Sequence, residues 1–489
     1  MDIGSSIRKG TSWLLMGNLG TRLIEFGVGI VLARLLLPSD FGLLVTTQIF
    51  TGVVGFIAGG GMGQALIHAK DVENKHYQVV FTLQLLICSL IYASFYWLSP
   101  LISQWFSEPL YTDLLRISTL SFLIRPFSNV AQAKLSRAMN FKVITLINLI
   151  SLLVSSGLSI YFALQGLGVW GLVFSGLLGG GISVLLFLLL SRFLPVIKFD
   201  VKIAKQLGGY GFKFSINDII NYIKYQIPNF LLGTYIGAHI VGLFNKGDSL
   251  SNLPVTTISG SAYQTVFRAL SSLQDDLDKS KYIYLRTITL VSVYTFPFYI
   301  GLLWVAEPFI VTFYGEKWQM AAIPLQILSI GGLFRCISNP SGAVMAAQNL
   351  LGIEVVLQFI ALLLTVAGCF YGIYQQDIMI VSIGLLPSIV FLAITLSYYS
   401  LKVLEISYKE LFKALSPAIV LNILLASILF IADYILLKYI PYINNIRYLI
   451  SVSVLGGIVY ALLFLYFPLA QLETEANRWK HFLYLKREK

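Results

Sequence analysis

Asn18, Arg22 and Glu25 follow one another at i, i+4 and i+7, so a helix carries all three on one face. The pattern recurs along the chain. Arg125, Ser128, Asn129 and Gln132 share a face beside Pro126, and Asn217, Asn221 and Lys224 share one that runs to Pro228, with Asp218 next to it. Lys246, Ser249 and Asn252 form another set with Asp248 as a local partner, and Arg335 precedes Asn339 by one turn just ahead of Pro340. Every set is embedded in apolar sequence, where a charge is costly and faces a protein interior or a wet cavity. Arg offers a planar fork to phosphate and Lys a point charge. Arg22, Arg125, Lys224 and Arg335, joined by Lys246, outnumber Glu25, Asp218 and Asp248, so an interior built from them suits an anionic substrate. Asn18, Asn129, Gln132, Asn217, Asn221 and Asn339 would add polar lining. Glu25 and Asp218 are candidates for coupling to an ion gradient. A structural reading stands beside the functional one: Arg22 and Glu25 could form an ion pair fixing one helix to a neighbour, and the Arg125 set could stabilise a proline kink.

The elements that must position these residues follow from composition. The 489 residues are 57% hydrophobic and 12% charged, about half the charge of a soluble globular chain. The apolar runs are long and continuous rather than alternating, which disfavours a barrel. Stretches of about 20 apolar residues span a bilayer as helices. Fourteen candidates are found, near 13–36, 41–66, 79–104, 112–133, 143–164, 169–191, 212–235, 241–267, 286–312, 321–346, 353–374, 378–400, 414–437 and 446–467. The first is too long for a cleavable signal. An all-α integral membrane protein is expected.

The net charge of +11 is explained by topology. With both termini cytoplasmic, one side collects most of the Lys and Arg, and the other holds only Lys317, Lys438 and Arg447. A nucleic-acid partner is therefore not expected. Residues 196–211, basic and amphipathic, read as a cytoplasmic connector on the membrane surface between lobes 1–195 and 212–401. Residues 402–467 add two further helices, and 468–489 form a basic cytoplasmic tail that reads as an interfacial anchor. A displacement of 200 residues superimposes Phe41-Gly42-Leu43 on Val241-Gly242-Leu243, a faint internal repeat.

Other chemistry finds little support. Cys88, Cys336 and Cys369 lie in apolar runs, and His68, His76, His239 and His481 sit at loops or edges, so no metal is expected. No nucleotide-binding loop is present, and no cofactor is expected. Asp433 stands alone in its span. The outer loops are short and carry no plausible carboxylate pair, which argues against a membrane-embedded glycosyltransferase or polymerase. A multidrug exporter of cationic drugs would favour an acidic interior instead.

Several segments resemble bacterial polysaccharide exporters, the Wzx-type oligosaccharide-lipid flippases. They are Lys9-Gly10-Thr11-Ser12-Trp13, the run from Leu32 through Pro38-Ser39-Asp40-Phe41-Gly42-Leu43, Ser136-Arg137-Ala138-Met139-Asn140-Phe141, Gly168-Val169-Trp170-Gly171, Val266-Phe267-Arg268-Ala269-Leu270, Gln274-Asp275-Asp276 and Tyr314-Gly315-Glu316-Lys317-Trp318. The similarity covers about residues 1–350. It implies two pseudo-symmetric six-helix lobes plus two C-terminal helices, as in the multidrug/oligosaccharidyl-lipid/polysaccharide flippase superfamily. It further implies alternating access, without enzymatic activity, for an undecaprenyl-diphosphate-linked oligosaccharide in the bacterial inner membrane. A polysaccharide polymerase, a chain-length regulator and membrane lipids are the implied partners. The Leu32–Leu43 run itself reads as helix-end packing and turn chemistry, with no substrate contact.

Overall fold

The computed structural model describes residues 20–69, 71–259, 263, 266, 267, 269–271, 273, 276–439, 444–467 and 469–485. Asn18 and the side chains of Asn217, Asp218 and Asn221 lie outside the described residues. Among the described residues there is no strand.

Unit 1, Met1–Gly242, contains α1 (20–35), α2 (Pro38–His68), α3 (Asn74–Trp105), α4 (Leu110–Ser118), α5 (Leu120–Arg137), α6 (Phe141–Leu164), α7 (Val169–Ser191), α8 (Val201–Tyr235) and the start of α9 (Ala238–Pro254). Unit 2, Leu243–Lys489, contains the rest of α9, a π-turn at Val255–Ser259, α10 (Leu277–Tyr314), a 3-10 turn at Glu316–Ala321, α11 (Ala322–Ala347), α12 (Leu351–Tyr374), α13 (Ile378–Val403), α14 (Tyr408–Tyr439), α15 (Asn445–Tyr466) and α16 (Glu473–Leu485). Helical residues lie at each of the fourteen expected positions, the fourth divided between α4 and α5, while parts of the first and eighth lie outside the described residues. Among the described residues, ten helical segments are long and apolar enough to cross a membrane. The exceptions are α1, the α4–α5 pair, α8 and α9, which carry the polar sets of spans 1, 4, 7 and 8.

In unit 1, α2 packs along α8, α6 along α7, and α5 against α3 and α7. The core has two centres. Phe81, Phe187, Phe193 and Ile147 fill the end where α3 begins, while Phe95, Phe106, Tyr111 and Leu43 fill the other. The expected 196–211 connector divides between an irregular stretch and the start of a helix. Residues 192–200 run without regular structure, and from Val201 the chain is already α8, capped by Asp200, whose carboxylate accepts from the Lys202 and Ile203 amides. An N-cap carboxylate satisfies amides that the first helical turn leaves without partners. The lobe boundary expected at 195–212 concerns the repeat, whereas the compact units divide after Gly242, so α8 lies in unit 1.

In unit 2, α10 packs against α11, α14 and α15, and α13 against α11 and α12. Gly368 and Gly384 bring the α12 and α13 backbones together; a Cβ on Gly368 would stand 2.0 Å from the Gly384 carbonyl oxygen. Small residues let membrane helices approach this closely. The tail folds back as α16: Glu475 pairs with Arg286 at 2.8 Å, and the Trp479 indole donates to the Tyr294 hydroxyl at 2.9 Å. Asp433 is not alone either, since the Tyr448 hydroxyl donates to it at 2.6 Å.

Candidate functional site: a cationic set in each unit

In unit 1, Leu32 of α1 and Leu36 just after it dock against Ala163, Ile160 and Leu172 of α6 and α7. Val28 joins that contact one turn earlier, whereas Arg22 and Glu25 are exposed, and a Cβ on Gly20, Gly27 or Gly29 would meet nothing within 4 Å. The ion pairs among the described residues are Lys75–Asp200, Lys279–Asp276, Arg286–Glu475 and Arg478–Glu475. An Arg22–Glu25 pair is not among them.

Arg125 lies on α5 beside Pro126, and its guanidinium rests over α2. A Cβ on Gly55 would stand 2.8 Å from Arg125 Nη1. One turn earlier on α2, the Tyr222 ring of α8 lies against Gly52, and its hydroxyl donates to the Gln48 carbonyl at 2.7 Å. The Tyr222 ring also meets Phe56 edge-on at 5.5 Å. Positions three apart lie on one helix face, so bare backbone at Gly52 and Gly55 seats a phenol and a guanidinium side by side. Arg125 remains exposed, with half-buried Asn129 and Gln132 following on α5. Half-buried Lys224 leaves α8 two positions after Tyr222, on a different face from the one meeting α2.

In unit 2, Arg335 of α11 donates to Asn252 Oδ1, and Asn252 Nδ2 donates to Asp248 Oδ1 at 3.0 Å. The amide therefore relays a cation to a carboxylate. Asp248 is the only charged side chain that is buried among the described residues. The π-turn starts three residues beyond Asn252, and Thr256 donates to the Asn252 carbonyl at 3.0 Å. Single π-turns of this kind are frequent at functional sites. Asn339 is half-buried one turn after Arg335. Lys246 goes elsewhere: its ammonium lies 4.9 Å from the Tyr314 ring centre and 5.4 Å from that of Trp318. Such distances give a cation–π attraction.

Sequence reasoning did not find the Tyr222 seat, the Asn252 relay or the aromatic seat of Lys246. Two signals were present in the sequence. Tyr222 falls at the repeat position of Arg22, and Tyr314 and Trp318 belong to one of the motifs quoted above.

Three of those motifs prove to be joints, and residues 9–13 lie outside the described residues. Asp40 Oδ2 accepts the Leu37 amide at the start of α2, while Asp40 Oδ1 accepts the Val169 amide at the start of α7 at 3.1 Å. Gly168, with φ of +53°, is required there, because a Cβ would stand 2.9 Å from Asp40 Oδ1. Arg137 Nη1 donates to the carbonyls of Leu66, Ile67 and Ala69 at the end of α2. A cation there also complements the negative end of the helix dipole. Helix-end packing was the expectation for the Leu32–Leu43 run, and Asp40 bears it out.

A fold of this kind occurs in known proteins. The solved structure of the lipid II flippase MurJ in an inward closed conformation superimposes with a TM-score of 0.73, covering 92% of this chain and 98% of that one at 15% identity. The succinoglycan biosynthesis transport protein ExoT of Rhizobium meliloti is 23% identical over 94% of this chain and 93% of its own. The lipopolysaccharide biosynthesis protein WzxC of Escherichia coli K12 is 23% identical over 71% of each chain. The family model described as polysaccharide biosynthesis protein matches residues 31–323, a stretch that takes in the Asp40, Arg137 and Gly168 joints together with Arg125 and Asn252. This multi-pass helical membrane protein belongs to the polysaccharide biosynthesis protein family.

Proposed function

We propose that the chain is a flippase that carries a polyprenyl-diphosphate-linked oligosaccharide repeat unit across the bacterial inner membrane, from the cytoplasmic to the outer leaflet, for surface polysaccharide synthesis. Family membership supports the pathway, and relatives named for transport support the step. The observation that carries the chemistry is Arg125: an exposed guanidinium, about 18 Å along α5 from Arg137 at that helix's end, seated on bare backbone. A cation so far along a span is costly unless it meets an anion or water, and a diphosphate is such an anion.

In this reading Arg125, Arg335, Arg22 and Lys224 hold the diphosphate at successive stages of alternating access. Asn129, Gln132 and Asn339 hydrogen-bond the sugar. The lipid tail stays in the bilayer. Undecaprenyl is the proposed lipid, with both termini cytoplasmic and a polymerase and chain-length regulator acting downstream. The lobes 1–195 and 212–401 are the proposed repeats. Glu25, exposed on α1, is the proposed coupling carboxylate, with Asp218 as its repeat-related alternative. No covalent step is assigned, because binding and release suffice for translocation.

The test is deletion of the protein with the sugar-assembly enzymes retained, followed by leaflet-specific labelling and mass spectrometry of lipid-linked oligosaccharides. Complete repeat units held on the cytoplasmic leaflet are expected. Complete units reaching the outer leaflet unpolymerised would overturn the flippase reading in favour of a polymerase.

A further inference from the structure

Residues 192–205 carry a second cationic arrangement, outside the spans. Phe193 is buried against Phe81, with ring centres 6.0 Å apart, and anchors the start of this strap. Three further ties hold it. Lys134 Nζ donates to the Arg192 carbonyl at 3.1 Å, the Lys198 amide donates to Thr82 Oγ1 at 2.9 Å, and Asp200 pairs with Lys75 at 2.5 Å. With the backbone pinned, the remaining side chains are forced outward. Leu194 is 74% exposed, Ile197 71%, Phe199 66% and Val201 68%. Arg192, Lys198, Lys202 and Lys205 are exposed between and beyond them, and none is in an ion pair among the described residues.

Lys202 and Lys205 are also poorly placed for their own helix. They sit in the first turns of α8, where the helix dipole is positive and disfavours cations. Asp200 already takes the Lys202 and Ile203 amides, so at this helix start the lysines, rather than the amides, are what attract a phosphate. Large apolar side chains interleaved with unpaired cations match a bilayer interface, in which acyl chains take the first and anionic headgroups the second.

We propose that residues 192–205 form a docking surface for anionic phospholipid headgroups of the cytoplasmic leaflet, with Leu194, Ile197, Phe199 and Val201 inserted among the acyl chains and Arg192, Lys198, Lys202 and Lys205 on the phosphates. The surface holds unit 1 to the leaflet and is independent of which substrate the spans carry.

The experiment places full-length Ile197→Trp protein in nanodiscs containing brominated phosphatidylglycerol or brominated phosphatidylcholine. Both variants below carry Ile197→Trp as well. Emission of the introduced tryptophan should be quenched more strongly by the brominated phosphatidylglycerol at equal mole fraction. Each cation near an anionic leaflet contributes about five-fold to partition. The quadruple variant Arg192→Gln/Lys198→Gln/Lys202→Gln/Lys205→Gln should therefore lose at least about tenfold of that preference. A control removing Lys438 and Arg447, cations outside the strap, should keep it. Equal quenching by the two lipids, or a preference that survives the quadruple substitution, would overturn the proposal. So would relief of the quenching by millimolar inorganic phosphate, which would mark a site for free anions.

Discussion

Gly42 and Gly242, 200 positions apart in sequence, lie against each other's helix with their amide nitrogens facing the same crossing. A Cβ built on Gly42 would stand 1.7 Å from the Ala238 carbonyl oxygen, and one built on Gly242 would stand 1.9 Å from that of Pro38. Each glycine therefore meets the carbonyl four residues before the other, and the contact repeats under the same displacement that superimposes the sequence triplets. Both neighbours are backbone, which cannot rotate aside. Gly42→Ala and Gly242→Ala should each cost at least about 1–3 kcal/mol, the usual range for overpacking. A lowered melting temperature in detergent is the expected readout, and unchanged melting of both variants would count against the crossing.

Arg335, Asn252 and Asp248 form one chain of hydrogen bonds, and residues in such a chain do not contribute additively. Arg335→Gln and Asn252→Leu should each reduce polysaccharide export by about tenfold, on the order of 1.4 kcal/mol, with membrane insertion intact. The double variant should be no worse than the weaker single one. Multiplied defects would mean that Asn252 does not act on Arg335.

Arg137 closes the end of α2 through three carbonyls. Arg137→Gln should destabilise the protein by about 1–3 kcal/mol, as expected for hydrogen bonds from a charged donor. The loss should show first as faster amide exchange in residues 62–69. Exchange unchanged in that segment would contradict the capping role.

The strap tie has a direction in pH. The Lys75 ammonium, helped by the Ile203 and Lys202 amides, holds the Asp200 carboxyl below the usual carboxylate range. A lowered folded value means the tie is fully present above about pH 4 and is lost as pH falls through that lowered value. A spin label on Val196→Cys should stay immobile from neutral pH to about 4 and loosen only below. Asp200→Asn should loosen it at every pH. Loosening of the unsubstituted tie near pH 6 would show that another group controls the strap.

The sequence revealed most of the architecture because apolar length is a local property. Helical residues lie at each expected position, and the elements too short or too polar to be counted as spans carry four of the five polar sets, the fifth lying on α11. Partnerships were harder to see. Arg22 and Glu25 have pairing geometry in sequence, yet α1 is held at its far end, by Val28, Leu32 and the following Leu36, and leaves both exposed. Asp433 looked solitary because its partner, Tyr448, comes from the next helix. Lys246 looked like a companion of Asp248, but two positions along a helix turn side chains apart, and the Tyr314 and Trp318 rings claim its ammonium. The second half of the connector is continuous with α8, since Asp200 starts that helix earlier than hydropathy suggests.

The seat of Tyr222 on Gly52 carries a consequence for how such chains diverge. At Gly52 itself α2 offers its neighbour no side chain, so the space between the two backbones at that point belongs to the tyrosine. A larger residue at position 52 fits only when position 222 shrinks, whereas a smaller residue at 222 leaves a gap that position 52 can fill. Across relatives the two sites should then exchange bulk in a fixed order, 222 first and 52 second, a history that an alignment of related chains would record as a correlated pair.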